Sequence, residues 1–186
     1  MTSVINGATV LGTVRELAEV QGAIEAYDHL DNYLHTKEKD LLLCHQLLMR
    51  KLLDTAGNYR HTNVGVGEKE GVTHVAPPPD IVPQLMGDLF DWLKHTKEHP
   101  LIVSCIFHYE FEFIHPFNDG NGRVGRLWQS VILNDYKKLF GYIPIESVVR
   151  DNQEQYYQAL EDAGSMGEST PFIEFMLEII LTTLKN

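Results

Sequence analysis

Apolar residues recur at helical spacing along almost the whole of this 186-residue chain, and this periodicity restricts the fold more than any other feature. A chain of this length can bury a core as one domain. No linker, internal repeat or low-complexity segment divides it. We therefore predict a single all-α domain over residues 1–186, a compact bundle of about eight helices.

The positions of the helices follow from the same pattern. We predict helices at 14–34, 41–53, 80–97, 101–114, 152–163 and 170–184. Asp80 is suited to cap the third of them, and Pro100 to open the fourth. A further helix follows a glycine-rich loop, and one of its faces carries Val124, Leu127, Trp128, Val131 and Ile132.

The segment 59–79 has a different pattern. Glycines interrupt it, valines alternate with polar residues, and prolines end it. This pattern predicts a small exposed β-hairpin within an otherwise helical domain.

The composition excludes several classes of partner. A net charge of −11 argues against general binding to nucleic acids or acidic membranes, which repel an anionic protein. No apolar segment approaches the roughly 20 residues of a membrane span, and the N-terminus lacks the features of a signal peptide. We expect a cytoplasmic protein in which Cys44 and Cys105, both among apolar neighbours, are buried thiols.

The segment 115–126, His-Pro-Phe-Asn-Asp-Gly-Asn-Gly-Arg-Val-Gly-Arg, is the most informative part of the chain. Gly120, Asn121 and Gly122 lead into a helix, so backbone N–H groups can converge on an anion at its N-terminus. Arg123 and Arg126 follow at i,i+3 spacing on the first turn. Two cations at the positive end of a helix dipole are unfavourable unless an anion neutralises them, and a polyphosphate does so.

Two further side chains in this segment suit the chemistry of a bound polyphosphate. Asp119 offers a hard oxygen ligand, as Mg²⁺ bound to phosphates requires. His115 supplies an imidazole whose ordinary pKa of ~6.5 suits a general base at neutral pH. So many constrained positions in one short segment argue against an ordinary loop–helix junction.

A second pattern overlaps this segment. His108, Glu112 and His115 are spaced at i, i+4 and i+7, which also fits a zinc site. Because the run lies on an apolar helix, we favour packing, or support of the neighbouring site, over zinc.

With these residues the chain resembles the Fic family, whose signature is His-x-Phe-x-Asp/Glu-Gly-Asn-Gly-Arg-x-x-Arg. The resemblance extends from Thr2 to about Leu177 and includes Gly57-x-Tyr59-Arg60. It implies a Fic-like helical bundle with a hairpin flap at 59–79. It also implies transfer of AMP from ATP-Mg to a Ser, Thr or Tyr hydroxyl of a target protein, with release of pyrophosphate. Doc-type relatives, which phosphorylate their targets, lack this arrangement.

The resemblance also implies a role for each site residue. His115 deprotonates the target hydroxyl, Asp119 holds Mg²⁺, and the two arginines contact the β- and γ-phosphates in chain order. The implied nucleotide-binding residues are Asn118, Gly120, Asn121, Gly122, Arg123, Arg126, Tyr157 and Glu161. Some relatives carry an asparagine near the adenosine where this chain has Gly164, which leaves the base selectivity open. In the flap, Thr73, His74 and Val75 align the target backbone by strand addition.

The first residues resemble an inhibitory segment, Ser/Thr-x-x-x-Glu-Gly, which is an N-terminal helix in the relatives that carry it. The matching stretch here, within residues 1–10, is Thr2-Ser-Val-Ile-Asn6-Gly7, and the candidate inhibitory residues in it are Ser3, Asn6 and Gly7. The glutamate of those relatives pairs with the second arginine and blocks the γ-phosphate. Asn6 stands in its place, and a neutral amide cannot form that ion pair. We therefore expect Arg126 to stay free, autoinhibition to be relieved, and the chain to label itself.

Two other functions stay open. One is a de-AMPylase, which removes AMP from modified proteins, although in relatives this activity depends on the inhibitory glutamate. The other is a non-catalytic binding or regulatory module of the same fold, although His115 and Asp119 are both intact. The identity of the target protein and assembly into a homo-oligomer also stay open.

Overall fold

The computed structural model describes residues 2–5, 8–66 and 74–185, without the side chains of residues 2–5, 8, 66 and 74. These residues form eight α-helices, two short 3₁₀ helices (Leu30–Asn32 and Lys138–Tyr142) and two hairpins. This confirms the predicted all-α fold. The helices are α1 (Val14–Asp28), α2 (Glu38–Met49), α3 (Val82–His95), α4 (Pro100–Ile114), α5 (Asn121–Tyr136), α6 (Ile145–Asp151), α7 (Gln153–Met166) and α8 (Thr170–Lys185).

Helix α5 lies at the centre of the bundle and packs against α4 along its length. Its Trp128 is fully buried in one apolar cluster, where the ring meets Phe90 of α3 edge to face. A second cluster, around Phe172 of α8, joins α4 to α7 and α8. Burying an aromatic side chain contributes about 2–3 kcal/mol. The core therefore fixes α4 and α5 firmly, and the loop that joins them is the candidate site. Among the described residues, none of the helices combines the length and the apolarity that a bilayer crossing requires.

The first helix is well capped but shorter than predicted. Thr13 accepts a hydrogen bond from the Glu16 N–H, and the Glu16 carboxylate accepts one from the Thr13 N–H. The prediction of a continuous helix to residue 34 is wrong, because α1 ends at Asp28. Tyr33 turns into the core, where its hydroxyl donates to the Ala26 carbonyl and its ring packs on Trp128. This contact requires the chain to leave the helical path.

The start of α3 also differs from the prediction. The helix begins at Val82, with Ile81 at the N-cap, so Asp80 is not the cap. A capping carboxylate accepts from the N–H of the second or third residue of the helix. If Asp80 were the cap, the third residue would be Pro83, which has no N–H, and the N–H of the second, Val82, donates to the Pro79 carbonyl instead.

The predicted flap contains a very short hairpin. Strand β3 (Gly65–Val66) pairs antiparallel with β4 (His74–Val75), and the side chain of Val75 is exposed. Thr73 lies outside the described residues. The hairpin prediction is confirmed, although only four described residues within 59–79 form strands.

The N-terminal segment forms a strand here, whereas the inhibitory segment of the relatives is a helix; its inhibitory role stays a prediction. β1 (Thr2–Ile5), which includes Ser3, pairs antiparallel with β2 (Ala8–Leu11), and Ile5 lies opposite Ala8. Asn6 and Gly7, which lie between these strands in the sequence, are outside the described residues. Asn-Gly is the favoured pair in two-residue hairpin turns, and β-branched residues on both sides favour strands.

Candidate active site

His115 ends helix α4 in a left-handed conformation, with φ of 50°. Its N–H still donates to the Phe111 carbonyl at 2.9 Å. Pro116 follows, and a residue before proline is disfavoured in the helical region, so the helix stops here. A left-handed conformation costs a non-glycine residue roughly 1–2 kcal/mol, which the surrounding contacts must offset. The result is an imidazole at the start of the loop, on the rigid end of a buried helix.

Arg60 provides part of that compensation. Its buried guanidinium donates to the carbonyls of His115 (2.8 Å), Ile114 (3.3 Å) and Thr62 (3.0 Å), and also to that of Pro77. A cation is favourable at the C-terminus of a helix, where the carbonyls carry partial negative charge. Arg60 therefore ties both ends of the flap segment to the backbone of His115.

The loop after His115 is held by its own side chains. The Asn121 amide accepts from the Phe117 N–H and donates to the Phe117 carbonyl, both at 2.8 Å, and is buried. Gly120 has φ of +89°, and a β-carbon there would lie 2.8 Å from Met49 Sδ. The side chain of Asn121 is thus used within the protein. Asn121 can therefore contact an anion through its backbone N–H, as predicted, but not through its side chain.

His45 of α2 supports the loop from below. Its Nδ1 accepts from the Gly57 N–H at 2.8 Å, and its Nε2 bonds the Asp119 carbonyl at 3.0 Å. The ring stacks on Phe117 at 3.7 Å between centroids. Burial lowers the pKa of His45 to about 4, so the ring is neutral and Nε2 carries the proton. Sequence reasoning missed this residue, because its partner is 74 residues away and no local pattern marks it.

The Asp119 carboxylate lies within a small ionic cluster. Its Oδ1 accepts from the Gly120 N–H at 2.6 Å and lies 3.5 Å from Arg123, while its Oδ2 lies 3.4 Å from Arg15 of α1. Glu19 of α1 lies 3.8 Å from Arg123. The predicted metal ligand and the first predicted phosphate-binding arginine therefore already contact each other. Sequence reasoning did not identify the two partners on α1.

A divalent cation fits this cluster only in part. Among the described residues no three His, Cys, Asp or Glu side chains group as a metal site. Mg²⁺ that accompanies a nucleotide is, however, commonly held by one or two carboxylates together with the phosphates. Asp119 is 43% exposed and supplies one such carboxylate beside the N-terminus of α5. The residues present suit a nucleotide-bound Mg²⁺ and do not form a separate protein cage.

Arg126 already has a carboxylate partner, which comes from α6; that the N-terminal segment leaves it free for phosphate stays a prediction. Its Nη2 donates to Glu146 Oε1 at 3.0 Å, and its Nε donates to Oε2 of the same carboxylate. Glu146 lies in the first turn of α6, a helix that the sequence analysis did not predict. Because the α5–α6 connection alone brings the two together, no spacing in the sequence indicates this ion pair.

Behind His115 lies a buried carboxyl. Glu112 Oε2 is 3.9 Å from His115 Nδ1, and Glu112 Oε1 is 3.8 Å from His108 Nε2. Burial raises the pKa of Glu112 to about 7, although Arg126 acts in the opposite direction. Both ring nitrogens of His108 are engaged, with Gln129 at 2.7 Å and the Tyr156 hydroxyl at 3.0 Å. His108 therefore packs in the core, which is the role that its sequence context favoured over a zinc site.

The other predicted nucleotide-binding side chains are partly or fully exposed. Asn118 is exposed, and its Oδ1 accepts from the Thr62 hydroxyl at 3.0 Å. Tyr157 is about half exposed and meets buried Tyr156 edge to face at 5.4 Å. Glu161 is exposed on the same helix, α7. These side chains are accessible to a ligand.

Together these elements place a candidate anion site beside a candidate base. The N-terminus of α5 carries Arg123 and Arg126, the Asp119 carboxylate lies next to it, and His115 starts the same loop. A helix N-terminus with two arginines favours a polyphosphate, and an imidazole can accept a proton from an attacking hydroxyl. The arrangement can thus support transfer of a phosphorus-containing group to a hydroxyl.

Comparisons with known proteins agree with this geometry. The model of the Fic/DOC family matches residues 29–133. The chain is 31% identical over 173 residues to "Protein adenylyltransferase Fic" of Nematostella vectensis, with 88% of this chain and 38% of that protein covered. It is 40% identical over 94 residues to a probable protein adenylyltransferase of Aquifex aeolicus, with 50% and 27% covered. The chain thus spans well under half the length of these relatives.

Solved structures give the same result. A Fic family protein from Desulfovibrio desulfuricans is 53% identical, with a TM-score of 0.93 over 98% of this chain and 56% of that one. Fic-1 from Caenorhabditis elegans is 26% identical, with a TM-score of 0.72 over 98% of this chain and 53% of that one.

Proposed function

The chain belongs to the Fic/DOC family, and on that premise we propose that it is a protein adenylyltransferase, which transfers AMP from ATP to a hydroxyl side chain of a target protein. The observation that carries the proposal is the complete segment 115–126 in one folded unit. The base, the anion site and the carboxylate are contiguous there. The naming of curated relatives as protein adenylyltransferases supports the same activity.

The proposed step is an in-line displacement at the α-phosphorus. The target hydroxyl oxygen bonds to that phosphorus as the bond to the bridging oxygen of the β-phosphate breaks. His115 takes the hydroxyl proton, and pyrophosphate leaves. Backbone N–H groups at the α5 N-terminus, together with Arg123 and Arg126, stabilise the charge that develops on the phosphates.

Asp119 is the residue we propose to hold the Mg²⁺ that accompanies ATP. A bound divalent cation neutralises phosphate charge and orients the leaving group. The Asp119 carboxylate now contacts Arg15 and Arg123, so metal binding would exchange these ionic contacts for metal–oxygen bonds.

The target would lie against the flap. Among the described residues β4 pairs with β3 along one edge and its Val75 is exposed, so a target segment in extended conformation could add to the other edge. Arg60 connects the base of this flap to the His115 carbonyl. A target aligned on the flap would therefore be held in fixed relation to the base. One candidate target is the chain itself.

The test is incorporation of label from ATP into protein. The chain is incubated with Mg²⁺ and a cell lysate, once with ATP labelled on the α-phosphate and once with ATP labelled on the γ-phosphate. We expect α-label on protein, including the chain itself, and no γ-label. His115→Ala should reduce incorporation by at least ~100-fold, because it removes the general base.

The two labels separate the alternatives. Label from the γ-phosphate alone would mean phosphorylation and would overturn the proposal. Release of AMP from previously modified protein, without incorporation, would favour the de-AMPylase. A chain that binds ATP but transfers nothing would favour a binding module.

A further inference from the structure

The ion pair between Arg126 and Glu146 links the signature segment to helix α6. Glu146 accepts two hydrogen bonds, from Nε and Nη2 of the guanidinium. The Arg126 side chain is 18% exposed and that of Glu146 is 44% exposed. Charge-assisted, bidentate bonds of this kind fix the plane of a guanidinium as well as its position. Glu146 therefore determines how Arg126 is oriented.

The orientation itself is visible at Gly122. A β-carbon at this position would lie 2.8 Å from Arg126 Nη1 and 3.5 Å from both Nη2 and Cζ. The guanidinium thus lies against the first turn of α5, with Nη1 closest to Gly122. Glu146 binds the Nε–Nη2 edge, which is a different edge of the same group.

The edge of the guanidinium that Glu146 binds shows whether Glu146 competes with phosphate for Arg126 or positions Arg126. A competitor of phosphate would occupy the part of the guanidinium that faces the anion site. Glu146 instead leaves Nη1 beside Gly122 while it holds the opposite edge. The buried carboxyl of Glu112 also favours the charged form of Arg126, so without Glu146 it would be an alternative partner for the guanidinium.

We propose that Glu146 is a positioning residue that holds Arg126 toward the terminal phosphate of ATP. The inference rests on the proposed use of ATP at this site. A long arginine side chain has many rotamers, and a partner that fixes it beforehand reduces the entropy lost when phosphate binds. Glu146 should therefore raise the affinity for ATP relative to ADP, which lacks the phosphate that Arg126 would contact.

The test measures binding of ATP and of ADP, each with Mg²⁺, by calorimetry. All proteins carry His115→Ala so that no nucleotide is consumed. Glu146→Ala should reduce the preference for ATP over ADP by about five- to tenfold, a common size for coupling between two groups. Glu146→Gln should lie between, because its carbonyl can still accept one hydrogen bond. Glu154→Ala, which removes an exposed acid from neighbouring α7, should leave the preference unchanged.

Each other outcome overturns the proposal. An increased affinity for ATP in Glu146→Ala would mean that Glu146 competes with phosphate. Equal weakening of ATP and ADP, or no change in either, would mean that the ion pair only supports the fold. If the protein with Glu146 intact bound no ATP at all, the proposed function would be wrong and this inference with it. If it bound ATP and Glu146→Ala had no specific effect, only this inference would be wrong.

Discussion

Glu112→Gln should change how the stability of this protein depends on pH. The Glu112 carboxyl is buried, and its Oε1 has no hydrogen-bond partner among the described residues. Burial raises its pKa from 4.5 to about 7. The ionisable groups around it are His108 on the same helix, His115, Arg126 of α5, Glu146 of α6 and Tyr156 of α7. Of these, Arg126 favours the charged form of Glu112 and Glu146 disfavours it.

The sign of the effect follows from the raised pKa. The folded protein holds the Glu112 proton more tightly than the unfolded chain does. The stability from this group is therefore full below pH 4.5 and is lost as the pH rises through 7. A shift from 4.5 to about 7 makes the free energy of unfolding fall by about 2.5 kcal/mol between pH 5 and pH 8. Glutamine cannot ionise, so Glu112→Gln should not lose this free energy of unfolding as the pH rises.

The assay is the midpoint of thermal unfolding, Tm, at several pH values from 5 to 8. Between these limits the Tm of Glu112→Gln should rise relative to that of the unmodified chain by about 5–10 °C, given a domain of this size. Glu174→Gln, an exposed change on α8, serves as the control and should give curves parallel to the unmodified chain. Parallel curves for Glu112→Gln as well would refute the reasoning, because Glu112 would then ionise alike in the folded and unfolded states.

Two further predictions concern the charges at the site. Asp119→Asn keeps an oxygen that can accept from the Gly120 N–H but loses the negative charge. AMP transfer should therefore fall by at least ~100-fold, and ATP binding should no longer respond to Mg²⁺. Unchanged Mg²⁺ dependence would exclude Asp119 as the metal ligand. Asn6→Glu should suppress AMP transfer if residues 1–10 act as an inhibitory segment, because its carboxylate would reach for Arg126. Asn6→Asp is the matched control, since it adds the same charge on a side chain that is shorter by one methylene. Equal rates in all three proteins would mean that this segment does not inhibit.

Much of the fold could be predicted because its signals are local. Pro100 opens α4 at the residue expected, and α8 runs from Thr170 to Lys185, close to the predicted 170–184. The N-terminal strands also had a local signal in the β-branched residues around Asn-Gly, but the sequence analysis assigned no secondary structure to this segment. The end of α1 had no such signal, because the burial of Tyr33 against Trp128 determines it.

In the candidate site, too, the residues with local signals could be predicted and those brought in by distant helices could not. Segment 115–126 is contiguous, so its members could be identified by type and spacing. The residues that hold it come from elsewhere: Arg15 and Glu19 from α1, His45 from α2 and Glu146 from α6. Their roles depend on how distant helices pack, which periodicity alone does not specify.

The exposure of the ionic pairs indicates which of them nucleotide binding can exchange. Arg15 is 67% exposed and Asp119 43%, and an ion pair this open to water contributes little, about 0–1 kcal/mol. A cation can therefore take Asp119 from Arg15 at small cost. Arg126 is far more buried, and to separate it from Glu146 would leave a charge with little access to water, which is costly. The Mg²⁺ that accompanies ATP should thus replace the arginine contacts of Asp119, whereas the phosphates should add to the contacts of Arg126, so that this arginine binds a carboxylate and a phosphate at the same time.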